Sequence, residues 1–277
     1  MTWPDQHPEE ETYTVGTLMG SGGYSTVYTG WSISGEAVAV KVIPKANIRR
    51  WTTFHGQRLP MEVLLMEKVR HVQGVASLIH FQEDEENFKI IMEKPDPSQD
   101  LYYYLYERVS LNEKEACYLF KQVVNIIGQI HASGVVHRDL KTENILVNLE
   151  TQMVYIIDFG GGAIYSDTPF TDFEGTMEYS PPEWINEQCY NGISAEIWAL
   201  GILLFTMMHR DVPFLTDEQI LTAQPNFRWN LSAQARDLIM KCLSINPKDR
   251  PSIRDIQEHP WMNNRALSED HRFIHKE

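Results

Sequence analysis

The chain has 277 residues, 43% hydrophobic and 22% charged, which is the balance of a folded globular protein and excludes disorder as its main state. With 38 acidic against 24 basic residues the formal net charge is −14. Such a surface repels nucleic acid and anionic lipid and attracts basic partners. Three scattered cysteines (Cys117, Cys189, Cys242) exclude a disulfide framework and contain no C-x-x-C zinc pair, so a reducing compartment is expected, the cytoplasm and also the nucleus.

Residues 1–12 are polar and carry Pro4 and Pro8, the pattern of a loose tail. The opening Met1-Thr2-Trp3-Pro4-Asp5 predicts no secretory leader. From Tyr13 to Val42 short β-branched and aromatic runs alternate with glycines, which predicts strands. A helix is expected over 60–71, with Pro60 in its first turn, then strands near 75–81 and 88–93. The Pro-rich stretch 94–99 breaks regular structure and reads as a hinge between a strand-rich lobe (13–93) and a helical lobe (100–262). Apolar side chains at 116, 119, 120, 123, 124, 127 and 130 have helical spacing over 112–133, with Ser110 and Glu113 as a capping box. Strands near 144–147 and 153–157 and helices near 194–208, 231–243 and 252–258 follow. The longest apolar run, Ile197 to Met208, is shorter than a membrane span. Residues 263–277 form a polar tail.

Four motifs carry chemistry. Gly20-Ser21-Gly22-Gly23-Tyr24-Ser25-Thr26-Val27 lies between two strands. A dinucleotide fingerprint needs a helix after it, whereas a glycine-rich hairpin can turn backbone N–H groups toward phosphate oxygens. Lys41 ends the apolar strand Ala37-Val38-Ala39-Val40, and Glu62, 21 residues on, could orient it as an ion pair. His137-Arg138-Asp139-Leu140-Lys141-Thr142-Glu143-Asn144 is the most specific. Asp139 can accept a hydroxyl proton, Lys141 can neutralise a transferring phosphoryl group, and Asn144 can ligate Mg²⁺. Ile156-Ile157-Asp158-Phe159-Gly160 places a carboxylate after an apolar strand, where it can hold a divalent metal. Each motif alone has an ordinary alternative: a simple hairpin, a lysine reaching solvent, a polar loop, a turn.

Their order and spacing together resemble the protein-kinase superfamily over residues 13–262. Ser180-Pro181-Pro182-Glu183 looks like the end of an activation segment, Arg250 like the partner of Glu183, and Ile197-Trp198-Ala199-Leu200-Gly201 like the helix under the catalytic loop. Within the serine/threonine kinases the chain is most similar to the Pim family, through Glu93-Lys94-Pro95-Asp96-Pro97, the run from Thr171 to Trp184, and His259-Pro260-Trp261-Met262. The resemblance implies an α+β bilobal fold, a small antiparallel sheet with one main helix followed by a larger helical lobe.

It also implies site roles. ATP is expected against Met19, Gly20, Gly22, Ser25, Val27, Ala39, Met92, Glu93, Pro95, Asp100 and Leu146, with Lys41, held by Glu62, on its phosphates. Pro95 has no N–H and so cannot give the usual second hinge hydrogen bond. Mg²⁺ falls to Asn144 and Asp158, and catalysis to Asp139, Lys141, Lys41 and Glu62. Asp100, Glu143, Asp172 and Thr176 are the expected substrate contacts, for basic peptides. Arg138, Glu183 and Arg250 anchor the activation segment, with Asp167, Asp172 or Glu174 pairing with Arg138 in place of a phosphate. His137 and Phe159 are expected to stack with Met66, as structure and not as a base. The expected protein is a monomer that engages protein substrates, not nucleic acid or membrane. Ser25 in place of a third loop glycine, and Glu196 where most kinases carry aspartate, leave a nucleotide-binding pseudokinase scaffold as the alternative.

Overall fold

The computed structural model describes residues 13–108, 111–228 and 231–264. They divide into two compact units: residues 13–70 with 76–96, and the described residues of 71–75 with 97–264.

The first unit is built on five antiparallel strands in the order β1-β2-β3-β7-β6. These are β1 (Thr14–Ser21), β2 (Thr26–Trp31) and β3 (Ala37–Pro44), then β6 (Leu78–Glu83) and β7 (Asn87–Glu93). Between them in sequence come β4 (Trp51–Phe54), β5 (Gln57–Pro60) and α1 (Met61–Lys68). β3 is the central strand, and Val38 and Val40 pack on Ile91 of β7. β1 is the opposite case, exposed along its whole length. The β4–β5 hairpin was not expected from the sequence. Its two-residue turn, His55-Gly56, has φ of 48° and 80°, the doubly positive geometry that matches strand twist. α1 starts one residue after Pro60, and its first turn carries the buried Glu62.

The second unit is mainly helical. A three-stranded sheet joins β8 (Ser98–Asp100), β10 (Ile145–Asn148) and β11 (Val154–Ile156), and β9 (Val135–Val136) pairs with β12 (Ala163–Ile164). The helices are α2 (Leu101–Tyr106), α3 (Glu113–Ala132), α4 (Pro182–Glu187), α5 (Gly192–His209), α6 (Asp217–Thr222), α7 (Ala233–Cys242) and α8 (Ile253–Glu258). α3 begins with a capping box, but Asn112 and Glu115 make it. Ser110, the cap expected from the sequence, lies outside the described residues.

α5 is the core of this unit. Its 18 residues reach a mean hydropathy of 1.4, and 89% of that stretch is buried. By length and composition the whole helix is long and apolar enough to cross a membrane, which the shorter run Ile197–Met208 did not suggest; here it is covered by protein. α7 lies very close to it: a Cβ at Gly201 would come within 2.8 Å of Cys242 Cβ, so only glycine lets the two helices approach this closely.

Candidate active site

In the first unit, β2 and β3 pair Val27 with Lys41, and β3 and β7 pair Ala39 with Met92 and Val38 with Glu93. Strand alternation therefore sets Lys41 in register with Val27. Its ammonium lies 2.6 Å from Glu62 Oε1, and both side chains are 7% exposed. A buried charge survives only when paired, so α1 and β3 hold each other's functional group. The Glu93 backbone N–H donates to Ser77 O at 2.9 Å, and Pro95 is buried. Gly20 lies near the end of β1, paired with Val27, and Gly22 and Ser25 lie in the β1–β2 turn, with Met19 half exposed.

In the second unit the turn after β9 carries Asp139. Its Oδ1 accepts from Thr176 N at 3.0 Å and Thr176 Oγ1 at 2.9 Å; its Oδ2 lies 2.9 Å from Lys141 Nζ and 3.0 Å from Asn144 Nδ2. Lys141 Nζ also donates to Thr176 Oγ1 at 2.7 Å. These bonds leave the carboxylate a single orientation. The Thr176 hydroxyl, expected at the substrate, is thus engaged by Asp139 and Lys141. Asn144 Nδ2 donates to Asp139 O at 2.7 Å as well, which fixes the amide and presents Oδ1. Ile157 N–H donates to Asn144 O at 3.0 Å, which brings Asp158 beside Asn144.

Arg138 and Asp158 both have φ near +65°, at 65° and 64°. Non-glycine residues hold that conformation only where the surroundings enforce it. For Arg138 they do. Its backbone N–H donates to Glu196 Oε1 at 2.7 Å. Its guanidinium donates to Tyr190 OH at 2.8 Å, Asp172 O at 2.6 Å and Asp172 Oδ2 at 2.9 Å, and lies over Phe170. Of the three carboxylates weighed from the sequence, Asp172 is the one bonded to Arg138. Burial pushes the Tyr190 hydroxyl pKa up, although Arg138 opposes it, so the phenol stays neutral while it accepts from Arg138.

Glu196 keeps the anchor that aspartate would provide. Its second oxygen meets His131 Nε2. Burial alone would raise its carboxyl pKa, but His131, His137 and the Arg138 N–H outweigh it and hold the group below the usual range. The extra methylene is thus absorbed by a partner 65 residues away. His137 Nδ1 accepts from Asp139 N–H at 3.3 Å, and its Nε2 lies 2.9 Å from Ile157 O. Its ring centroid lies 5.0 Å from that of Phe159. Below them, Arg250 makes a two-pronged bridge to Glu183 at 2.8 and 2.6 Å and also donates to Ser194 O and Ser244 O.

A protein kinase domain model matches residues 13–262. The chain belongs to the protein kinase family. It is 41% identical over 264 residues to serine/threonine-protein kinase pim-2 of Danio rerio, covering 91% of this chain and 85% of that one. It is 35% identical to serine/threonine-protein kinase prk-2 of Caenorhabditis elegans and 31% to serine/threonine-protein kinase ppk6 of Schizosaccharomyces pombe. Each match covers 94% of this chain, but only 60% and 34% of those longer proteins. The kinase is therefore a Pim-like serine/threonine phosphotransferase with the α+β architecture expected from its sequence. Members of this family generally use ATP and Mg²⁺.

Sequence reasoning missed Tyr190 and His131. Tyr190 lies in no motif. His131 continues the buried face of α3, its side chain 8% exposed, but nothing local marks it as a partner of Glu196.

Proposed function

We propose that this kinase transfers the γ-phosphate of ATP to serine or threonine in basic protein segments, with no phosphate required on its own activation segment. The observation that carries the second part is the occupation of Arg138 by Asp172 and Tyr190. A phosphorylated residue orders such a segment by giving an arginine a charge partner; here an encoded carboxylate does so.

In the first unit, Lys41 meets the phosphates and Glu62 keeps its ammonium aimed. Gly20, Gly22 and Ser25 offer backbone N–H groups, and Met19, Val27, Ala39, Met92, Glu93 and Pro95 serve the nucleotide. In the second unit, Leu146 and Asp100 do the same. Asn144 Oδ1 and the Asp158 carboxylate are the oxygen donors that suit a hard divalent cation. Bound Mg²⁺ supplies charge neutralisation at the phosphates. Asp139 orients the attacking hydroxyl and takes its proton, and Lys141 offsets the charge gathered at the transferred group.

The basic preference rests on Asp100 and Glu143. Burial, then the charge of Glu143, pushes the Asp100 carboxyl pKa up. Two such carboxylates gain from a cation placed on them. Beside Asp100, Tyr103 is exposed and uncharged, and Thr142 is buried with its hydroxyl on Glu143, so the preference is shallow. The test is phosphate transfer from Mg-ATP to an arginine-rich serine peptide by protein shown by mass spectrometry to be unphosphorylated, with Asp158→Asn as control. Transfer lost in the control supports the proposal. ATP binding without transfer would move the reading to a pseudokinase scaffold.

A further inference from the structure

The β1–β2 turn has little to hold it by itself. A Cβ at Gly20 or Gly23 would meet nothing within 4 Å, and one at Gly22 only Ser25 O at 3.9 Å. One internal bond closes the turn, Gly22 N–H to Ser25 O at 2.9 Å. Three glycines in a short exposed segment have a large conformational freedom to lose when they are ordered around a ligand.

The tip is nevertheless fastened from outside the hairpin. The Arg49 guanidinium lies 4.0 Å over the Tyr24 ring centroid and donates to the Tyr24 hydroxyl. Asn47 Nδ2 donates to Tyr24 O at 3.2 Å. Ring, hydroxyl and backbone carbonyl of one residue are thus all engaged by the stretch between β3 and β4. That stretch is itself fixed. Lys45 N–H donates to Glu86 O at 2.8 Å, Lys45 Nζ pairs with Glu83 at 2.6 Å, and Ile48 N–H returns to Lys45 O at 3.2 Å. The flexible turn therefore leans on the β6–β7 hairpin through a short, braced connection.

We propose that Tyr24, Arg49 and Asn47 form a clasp that positions the glycine-rich turn for the phosphates of ATP. None of the three is a catalytic residue. Arg49 and Asn47 act through Tyr24, and Tyr24 acts through the backbone of the turn. Rigidifying a segment in its binding conformation raises affinity by removing an ordering cost. The clasp accordingly acts on nucleotide affinity and leaves the phosphoryl-transfer step itself alone. This inference rests on the kinase reading, and its test separates the two.

Steady-state kinetics with varied Mg-ATP, and Mg-ATP affinity by calorimetric titration, are measured for wild type, Arg49→Ala, Arg49→Lys, Tyr24→Phe, Tyr24→Ala and the double variant Tyr24→Ala/Arg49→Ala. Arg49→Ala and Tyr24→Ala are expected to raise KM and Kd for ATP about three- to tenfold, the size of one exposed cation–π contact with its hydrogen bond, with kcat within about twofold of wild type. Tyr24→Phe and Arg49→Lys, which each keep part of the contact, fall between. The double variant is no worse than the poorer single one, because both remove the same clasp. Unchanged ATP affinity in Arg49→Ala, a fall in kcat at constant KM, or additive single effects would overturn the clasp. Failure of wild type to transfer phosphate would overturn the kinase reading instead, and the calorimetric affinities still decide the clasp. Melting temperatures equal to wild type show that the variants are folded, as expected for contacts on an exposed turn.

Discussion

The β1–β2 turn and the turn that carries Asp139 are both short connections between strands, and they are built in opposite ways. The first follows a strand exposed from end to end, and its glycines touch almost nothing. The second is sunk in the protein. Arg138 is 7% exposed, His137 fully buried, and every polar atom of Asp139 has a named partner. One non-glycine residue there is held at positive φ. In the proposed function Asp139 orients a single hydroxyl, which needs one position, and burial with redundant hydrogen bonds provides it. The proposed role of the glycine-rich turn, to admit and release a ligand, needs several positions, and local stability near zero provides those.

The comparison breaks first at Asp139. Asp139→Asn is expected to lower kcat by about 10²–10⁴, the usual size for loss of a positioned base, with the melting temperature within a few degrees of wild type. A loss below tenfold would mean that the network around Asp139 serves structure and not chemistry. Next is Arg250→Ala. It leaves Glu183 buried without its partner, and removing one half of such a pair costs about 3–5 kcal/mol. Urea denaturation of this variant should show a large drop in midpoint, or no folded baseline.

The same substitution made in both regions sharpens the contrast. A Cβ at Gly175 would lie 2.6 Å from Arg138 O, so Gly175→Ala must displace backbone and is expected to destabilise by about 1–3 kcal/mol and to lower kcat. At Gly20 there is open space, and no positive φ forbids a side chain. Gly20→Ala should leave thermal stability unchanged or raise it by up to about 1 kcal/mol. Asp172→Ala removes one partner of Arg138 and leaves Tyr190 and Phe170. Activity of the unphosphorylated protein should fall about five- to thirtyfold, corresponding to about 1–2 kcal/mol; no change would show that Asp172 does not order the segment.

The smallest effect is a pH effect in the β6–β7 turn. Backbone N–H donation from Asn87, with help from Lys89 and Glu86, lowers the Asp84 carboxyl from 3.8 to about 2. A depressed carboxylate contributes in full above its unfolded value and is lost as pH falls through its folded one. Amide-exchange protection of Asn87 should thus hold above pH 4 and decline toward pH 2. Asp84→Asn should abolish that acid dependence.

That the side chains from His137 to Asn144 come together was legible because they lie within eight consecutive residues. The Lys41–Glu62 pair was legible because a lysine ending an apolar strand must find a counter-charge. What holds these groups was not legible. Glu196 meets Arg138 across 58 positions and His131 across 65, and Asp172 could not be told from Asp167 or Glu174 by composition. Such contacts are fixed by the path of the chain, which no local period encodes. The β4–β5 hairpin is different. A glycine after His55, between the β-prone runs Trp51–Phe54 and Gln57–Pro60, was a turn signal that could have been read. The cap of α3 was misplaced by two residues because serine and asparagine compete for the same role.

α5 carries a further consequence for how the protein is made. As it leaves the ribosome, its 18 residues have the hydropathy of a membrane segment. Of the helices that cover it, α3 has already been synthesised and can shelter one face. α7 begins more than twenty residues later and has not yet emerged. For that interval the nascent chain exposes the face around Gly201. The chaperones that meet the chain before α7 emerges therefore bear on the yield of folded kinase.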